Sequence, residues 1–180
     1  SPTKVQKFLH DLLAKAKPAA QQEFEELTAF ANQKDGIEQL EKWDGSYYSE
    51  KLKQEKFQLD DELLKPYFKL ENVLHGAFEI ANRLFNLTFT EVQTIDKYHP
   101  DVQTFEVTDE QHNLVAVFYA DFFPRKGKRQ GAWMTSFKPQ YIKDGINERP
   151  HVSIVCNFTP PTETKPALLT FNEVTTLFHE

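Results

Sequence analysis

The spacing of apolar residues changes once along this 180-residue chain, near residue 86, and that change governs what it can fold into. Before it, apolar residues recur every three or four positions, the repeat of a helix with one buried face. Val5, Phe8, Leu9, Leu12, Leu13 and Ala16 form the first stripe. Pro18 is expected to end that helix and open a second, which carries Phe24, Leu27 and Ala31 and stops at Gly36. A third is expected from Asp44 or Ser46, either able to cap it, to about Phe57. Asp60, Asp61 and Glu62 place acids where the next helix dipole favours negative charge. After Pro66 comes the best helical pattern: Leu70, Val73, Leu74, Ala77, Phe78, Ala81, Leu84 and Phe85.

After residue 86 the repeat shortens. Thr104–Val107 alternates, Asp109–Asn113 is a polar turn, and Leu114–Phe123 is β-branched and aromatic, so the two runs predict an antiparallel hairpin. Pro124–Gly131 reads as a loop, Val152–Cys156 as a further strand, and Thr159–Pro166 as a Pro-rich connection. Thr170 or Asn172 caps a last helix through Val174, Leu177 and Phe178. The fold class is therefore α+β and predominantly helical. Residues 1–86 are the helical part, 87–158 a small, mostly antiparallel sheet region, and 159–180 a linker and the start of a helix. No Gly, Lys or Arg finishes that helix after His179-Glu180, so the chain is expected to be an internal piece of a larger protein.

Net charge bounds the partners. At −6 the chain lacks the excess of Lys and Arg that phosphate neutralisation needs, which argues against a nucleic-acid surface. The longest apolar run, Leu114–Tyr119, is far short of the roughly 20 residues of a membrane span. No leader is visible, and the expected location is the cytoplasm. One cysteine, Cys156, allows neither an internal disulfide nor a Cys-rich metal site; in an apolar strand it reads as a small core residue. Arg125, Lys126, Lys128 and Arg129 suit phosphate, but in an acidic chain they read first as a solvated hairpin loop. His10, His75, His99, His112 and His151 lack ligand spacing. Trp133 and Met134 suit either a substrate path or the core. Asn86-Leu87-Thr88 and Asn157-Phe158-Thr159 match a glycosylation triplet that is common by chance.

The chemistry concentrates at the end. Leu177-Phe178-His179-Glu180 is the first half of His-Glu-x-x-His, in which two His on one helix face bind zinc and the intervening Glu takes a proton from water. Alone, a terminal His-Glu is a chance dipeptide. Its neighbourhood adds more. Pro166–Glu180 resembles the run into the zinc helix of the thimet oligopeptidase family, where the next residues are Phe-Gly-His. Asp121-Phe122-Phe123-Pro124-Arg125-Lys126-Gly127-Lys128-Arg129-Gln130-Gly131-Ala132-Trp133 resembles the family's Asp-x-Phe…Arg…Lys…Gly-Ala-Trp stretch. Cys156-Asn157-Phe158 is similar to its Cys-Asn-Phe strand end. Tyr98–Val102 and Leu64–Phe68 are similar to segments of the dipeptidyl carboxypeptidase branch. The resemblance runs from about Trp43 to Glu180.

The resemblance implies a zinc peptidase with a deep channel that cleaves short peptides, the carboxypeptidase branch releasing C-terminal dipeptides. It implies His179 as first zinc ligand and Glu180 as general base. The second His and the downstream ligand have no counterpart here, so this chain alone is expected to be inactive and not to hold zinc tightly. An endo-acting oligopeptidase, a non-catalytic module that takes a peptide on a strand edge, and a plain helical interaction domain are the alternatives. Exposed apolar residues on the last helix are expected to make it fray or to pair it with a second copy.

Overall fold

The computed structural model describes residues 1–58 and 61–180, so Asp60, one of the acids expected at a helix start, lies outside the described residues. The chain divides into two units, Ser1–Asp60 and Asp61–Glu180.

In the first unit, α1 (Pro2–Asp35) runs through Pro18 without a break. Two helices were expected there. Proline removes one N–H and crowds the turn before it, but both Pro18 and Ala14 are exposed, so the carbonyl left free is open to solvent. Gly36 closes α1 as expected, at φ 70°, its N–H donating to the Asn32 carbonyl at 2.9 Å. Next comes α2 (Gly45–Phe57), with Asp44 at the cap position. The Asp44 carboxylate accepts from the Glu41 N–H at 3.0 Å and does not cap the helix itself. Phe30, Ala31, Leu40 and Tyr48 form this unit's core, and the Tyr48 hydroxyl donates to Asp35 at 3.0 Å. The stripe Val5, Phe8, Leu9, Leu12 and Leu13 is exposed.

The second unit opens with α3 (Asp61–Leu64), a 3₁₀ turn (Lys65–Tyr67) and α4 (Leu70–Phe85). Then follow β1 (Thr88–Glu91), β2 (Gln103–Thr108), β3 (Leu114–Asp121), β4 (Trp133–Lys138), β5 (Tyr141–Lys143), β6 (Ile146–Glu148), β7 (His151–Val155) and α5 (Phe171–His179). Five strands make one sheet in the order β1-β2-β3-β7-β4, and β5 and β6 form a separate hairpin. The expected hairpin is β2–β3, its turn built on Asp109, whose carboxylate accepts the N–H groups of Gln111 and Asn113 at 2.9 and 2.8 Å. β7 enters between β3 and β4, parallel to β3 and antiparallel to β4. The loop after β3 therefore crosses past β7; it is not the hairpin turn that was expected.

The core lies between one sheet face and the helices α4 and α5. It includes Leu70, Val73 and Leu74, with Phe105, Ala120, Phe122, Ile154, Cys156, Phe158, Leu169 and Leu177. Phe78 stacks on Phe89 at 4.1 Å and meets Phe105 and Phe118 edge-on, which accounts for part of the chain's high Phe content. Cys156 is wholly buried there, as expected.

Thr170 begins α5. Its hydroxyl accepts the Glu173 N–H at 3.2 Å, and the Glu173 carboxylate accepts the Thr170 N–H at 2.8 Å, a reciprocal capping box. The other Glu173 oxygen takes the Thr159 N–H at 2.7 Å and its hydroxyl at 3.1 Å. Glu173 thus ties the helix start to the end of the Cys-Asn-Phe segment. Val174 and Leu177 pack on this chain's own core, while Phe178 stays about half exposed.

Thr170→Ala should cost about 1 kcal/mol in urea unfolding, the usual worth of an N-cap. Glu173→Ala should cost more, since it frees Thr159 as well. An equal or smaller loss for Glu173→Ala would show that the tie to Thr159 carries no energy.

Candidate active site

Because β3 and β7 are parallel, their C-terminal ends lie side by side, Asp121 opposite Val155. The pairing continues past both strands: the Cys156 N–H donates to the Asp121 carbonyl and the Phe158 N–H to the Phe122 carbonyl, both at 2.8 Å. Asp121 is 1% exposed, an extreme burial for a carboxylate. Arg125 grips it with two nitrogens at 2.7 and 2.8 Å. The Lys128 ammonium donates to it at 2.9 Å and uses its remaining donors on the carbonyls of Asp121 and Phe123 at 3.0 and 2.7 Å. The Tyr98 hydroxyl donates at 2.9 Å. Burial alone would raise the Asp121 pKa, but these hydrogen bonds outweigh it and hold it at about 2, below the ordinary 3.8.

The loop 124–131 therefore differs from the solvated turn expected of it. The Lys128 side chain is 3% exposed and Arg125 is three-quarters buried, both spent on Asp121. Asn157 fixes the far end of the loop, donating to the carbonyls of Arg129 and Gly131 at 2.9 and 2.7 Å. That use of its amide leaves the Asn157 triplet a chance match. Gly131 sits at φ 99°, where a side chain is strained. Above this node lies a cleft of about 600 Å³ whose β4 wall is Trp133, Thr135 and Phe137, alternate residues of one strand face. Met134 points to the other face and is exposed. Neither Trp133 nor Met134 belongs to the core.

His179 and Glu180 close α5, the Glu180 N–H donating to the Thr176 carbonyl at 3.0 Å. His179 is exposed and Glu180 half-buried. Burial pushes the Cys156 thiol up to about 12, and the Glu180 charge acts in the same direction. A thiol so raised is no nucleophile. The other histidines stay apart: His10 on α1, His75 on α4, His99 against Asp101, His112 in the β2–β3 turn, and His151 at 3.1 Å from the Tyr119 hydroxyl. A catalytic zinc takes about three protein ligands. Among the described residues no three His, Cys, Asp or Glu side chains gather.

The sequence motifs thus assemble around one place: Tyr98 from one block, Asp121 to Lys128 from another, Asn157 and Phe158 from a third, and α5 from a fourth. The family model of peptidase family M3 matches residues 1–180. This chain belongs to peptidase family M3. The match takes in the helical segment before Trp43, where the resemblance read from motifs had stopped. The chain is 42% identical to oligopeptidase A of Escherichia coli K12 over 181 residues, all of this chain and 27% of that protein. With dipeptidyl carboxypeptidase of the same organism it shares 38% over 181 residues, 26% of that protein. Organellar oligopeptidase A of Arabidopsis thaliana is 36% identical over 98% of the chain and 23% of its own length. The M3 chain described here spans about a quarter of the length of the curated relatives it matches.

Tyr98 and Asp121 had no role in the sequence reading beyond membership of their blocks, and Asn157 only that and the chance triplet. An acid ending an apolar strand, followed by Arg and Lys four and seven residues on, is the signal that finds such a node.

Asp121→Ala should destabilise the second unit by about 3–5 kcal/mol, the cost of leaving buried cations unpaired. The folded pKa lies below the unfolded one, so the stabilisation is full above about pH 4 and is lost as pH falls toward 2. Acid titration should show a fall of about 2 kcal/mol across that window, missing in Asp121→Asn. An unchanged acid slope in Asp121→Asn would assign the loss to other carboxylates.

Proposed function

We propose that this chain is part of a zinc-dependent peptidase acting on short peptides in the cytoplasm, and that it releases dipeptides from their C-termini. The observation that carries the reading is the match to peptidase family M3 along the whole chain, with α5 ending in His179-Glu180. His179 supplies one metal ligand, and groups outside residues 1–180 complete the set. Glu180 takes a proton from the water that attacks the peptide carbonyl, the task of a positioned general base. The chain alone is inactive, because one histidine and one acid cannot hold the ion.

A relative named dipeptidyl carboxypeptidase supports exopeptidase action. The 42% identity to oligopeptidase A supports the second reading, cleavage within the peptide. Short peptides are the partners. Net charge argues against nucleic acid, and no helix among the described residues is long and apolar enough to cross a membrane. A second copy would pair through Phe178, the exposed apolar residue near the end of α5.

The polypeptide that extends past Glu180 should release C-terminal dipeptides from short peptides in the presence of zinc, read by mass, while residues 1–180 release nothing. His179→Ala in the long form should abolish release, and Glu180→Gln should lower it about 10²–10⁴-fold, the span of general acid–base effects. Internal cuts would select the second reading. Full activity in either variant would refute the assignment of these residues.

A further inference from the structure

We propose that the cleft above Asp121 binds the carboxylate of a peptide, with the Arg129 guanidinium as its receptor; this rests on the reading of the chain as part of a peptidase for short peptides. The charges that line the cleft are Asp121 on one side and Arg125, Lys128 and Arg129 on the other, a local excess of two positive charges in a chain of net charge −6. The three cations are not equivalent. Lys128 spends its donors on Asp121 and two carbonyls, and Arg125 spends its fork on the Asp121 carboxylate. The Arg129 side chain has neither a hydrogen-bond nor an ion-pair partner among the described residues; its guanidinium lies over the Trp133 ring, 4.5 Å from the centroid.

Arg129 is also held in place. Asn157 binds its carbonyl at 2.9 Å and that of Gly131 at 2.7 Å, and the Lys128 N–H donates to the Arg125 carbonyl at 3.1 Å. A guanidinium resting on an aromatic face keeps its in-plane donors free and loses little freedom when it forms a two-pronged bond. The groups beside it choose the ligand class. Trp133 and Phe137 offer apolar walls on the same strand face, so an anion carried on an apolar, peptide-like body gains contacts that a bare ion does not. A singly charged carboxylate suits the single free fork.

The carboxylate comes either from a peptide's C-terminus or from an acidic side chain, and binding experiments on the 180-residue chain separate the two. Trp43→Phe leaves Trp133 as the one indole, whose N–H resonance reports the cleft. Three probes are titrated: N-acetyl-Ala-Phe, its C-terminal amide, and N-acetyl-Glu-Phe amide. At least one acid should shift the resonance and bind about tenfold or more tightly than the neutral amide, the scale of a charge-assisted hydrogen bond. Arg129→Gln should erase that difference, Arg129→Lys should restore part of it, and added salt should weaken it. The tighter of the two acids names the source. Equal binding of all three peptides, an acid preference that survives Arg129→Gln, or an equal response to inorganic phosphate alone would overturn the proposal. The readout is binding, so loss of peptidase action with this preference intact would sink only the peptidase reading.

Discussion

The second unit depends on one buried carboxylate. Isolated, an ionised Asp121 would cost several kcal/mol to desolvate. It survives because each oxygen is saturated: one accepts from Arg125 and Lys128, the other from Arg125 and Tyr98. Buried ion pairs of this kind contribute little net stability against an apolar replacement of the same shape. What this one supplies is geometry. It joins the end of β3, the loop after it and the loop before β2, segments that share no ladder. Lys128 adds to this by closing two carbonyls of the turning chain, groups that no strand partner reaches.

The insertion of β7 makes the node possible. Had β4 paired directly with β3, a short hairpin would follow Asp121 and leave no room for Arg125 to fold back. With β7 between them, the chain must cross its end, and the eight residues 124–131 take that path. Asn157, just past β7, then lies beneath the crossing and holds it through two carbonyls. Cys156 and Phe158, its neighbours, point instead into the core. One short segment thus serves the core, the sheet and the loop at once.

Legibility followed the length of each pattern. α4 and the stop at Gly36 were readable because periodic spacing and a left-handed terminator are local signals. β2, β3 and β7 were readable as alternating or apolar runs. β1, with exposed and half-exposed residues, and β5 and β6, at three residues each, carry too little periodicity to stand out. β4 was hidden for another reason: Trp133, Thr135 and Phe137 line a cleft, so its face lacks the apolar-in, polar-out contrast. Pro18 misled because a proline in a long exposed helix costs one hydrogen bond without forcing the helix to end, and α1 continues through it. The role of Asp121 was unreadable locally, since its partners lie 23 residues before and four and seven after, and only the crossing brings them together.

The same geometry sets the surroundings of the last residues of α5. Each helical residue turns about 100° from the last. Leu177 is buried, so His179, about 200° further round, faces away from the core and is exposed, while Glu180, about 300° round, returns toward it and is half-buried. The two residues therefore meet different surroundings although adjacent in sequence. His179 faces outward, where other groups have access to it. The capping box at Thr170, the Glu173 tie to Thr159 and the Leu177 anchor fix that rotation with this chain's own residues. If His179 serves as the ligand proposed above, the groups that complete the set approach the outer face of a helix already set in place.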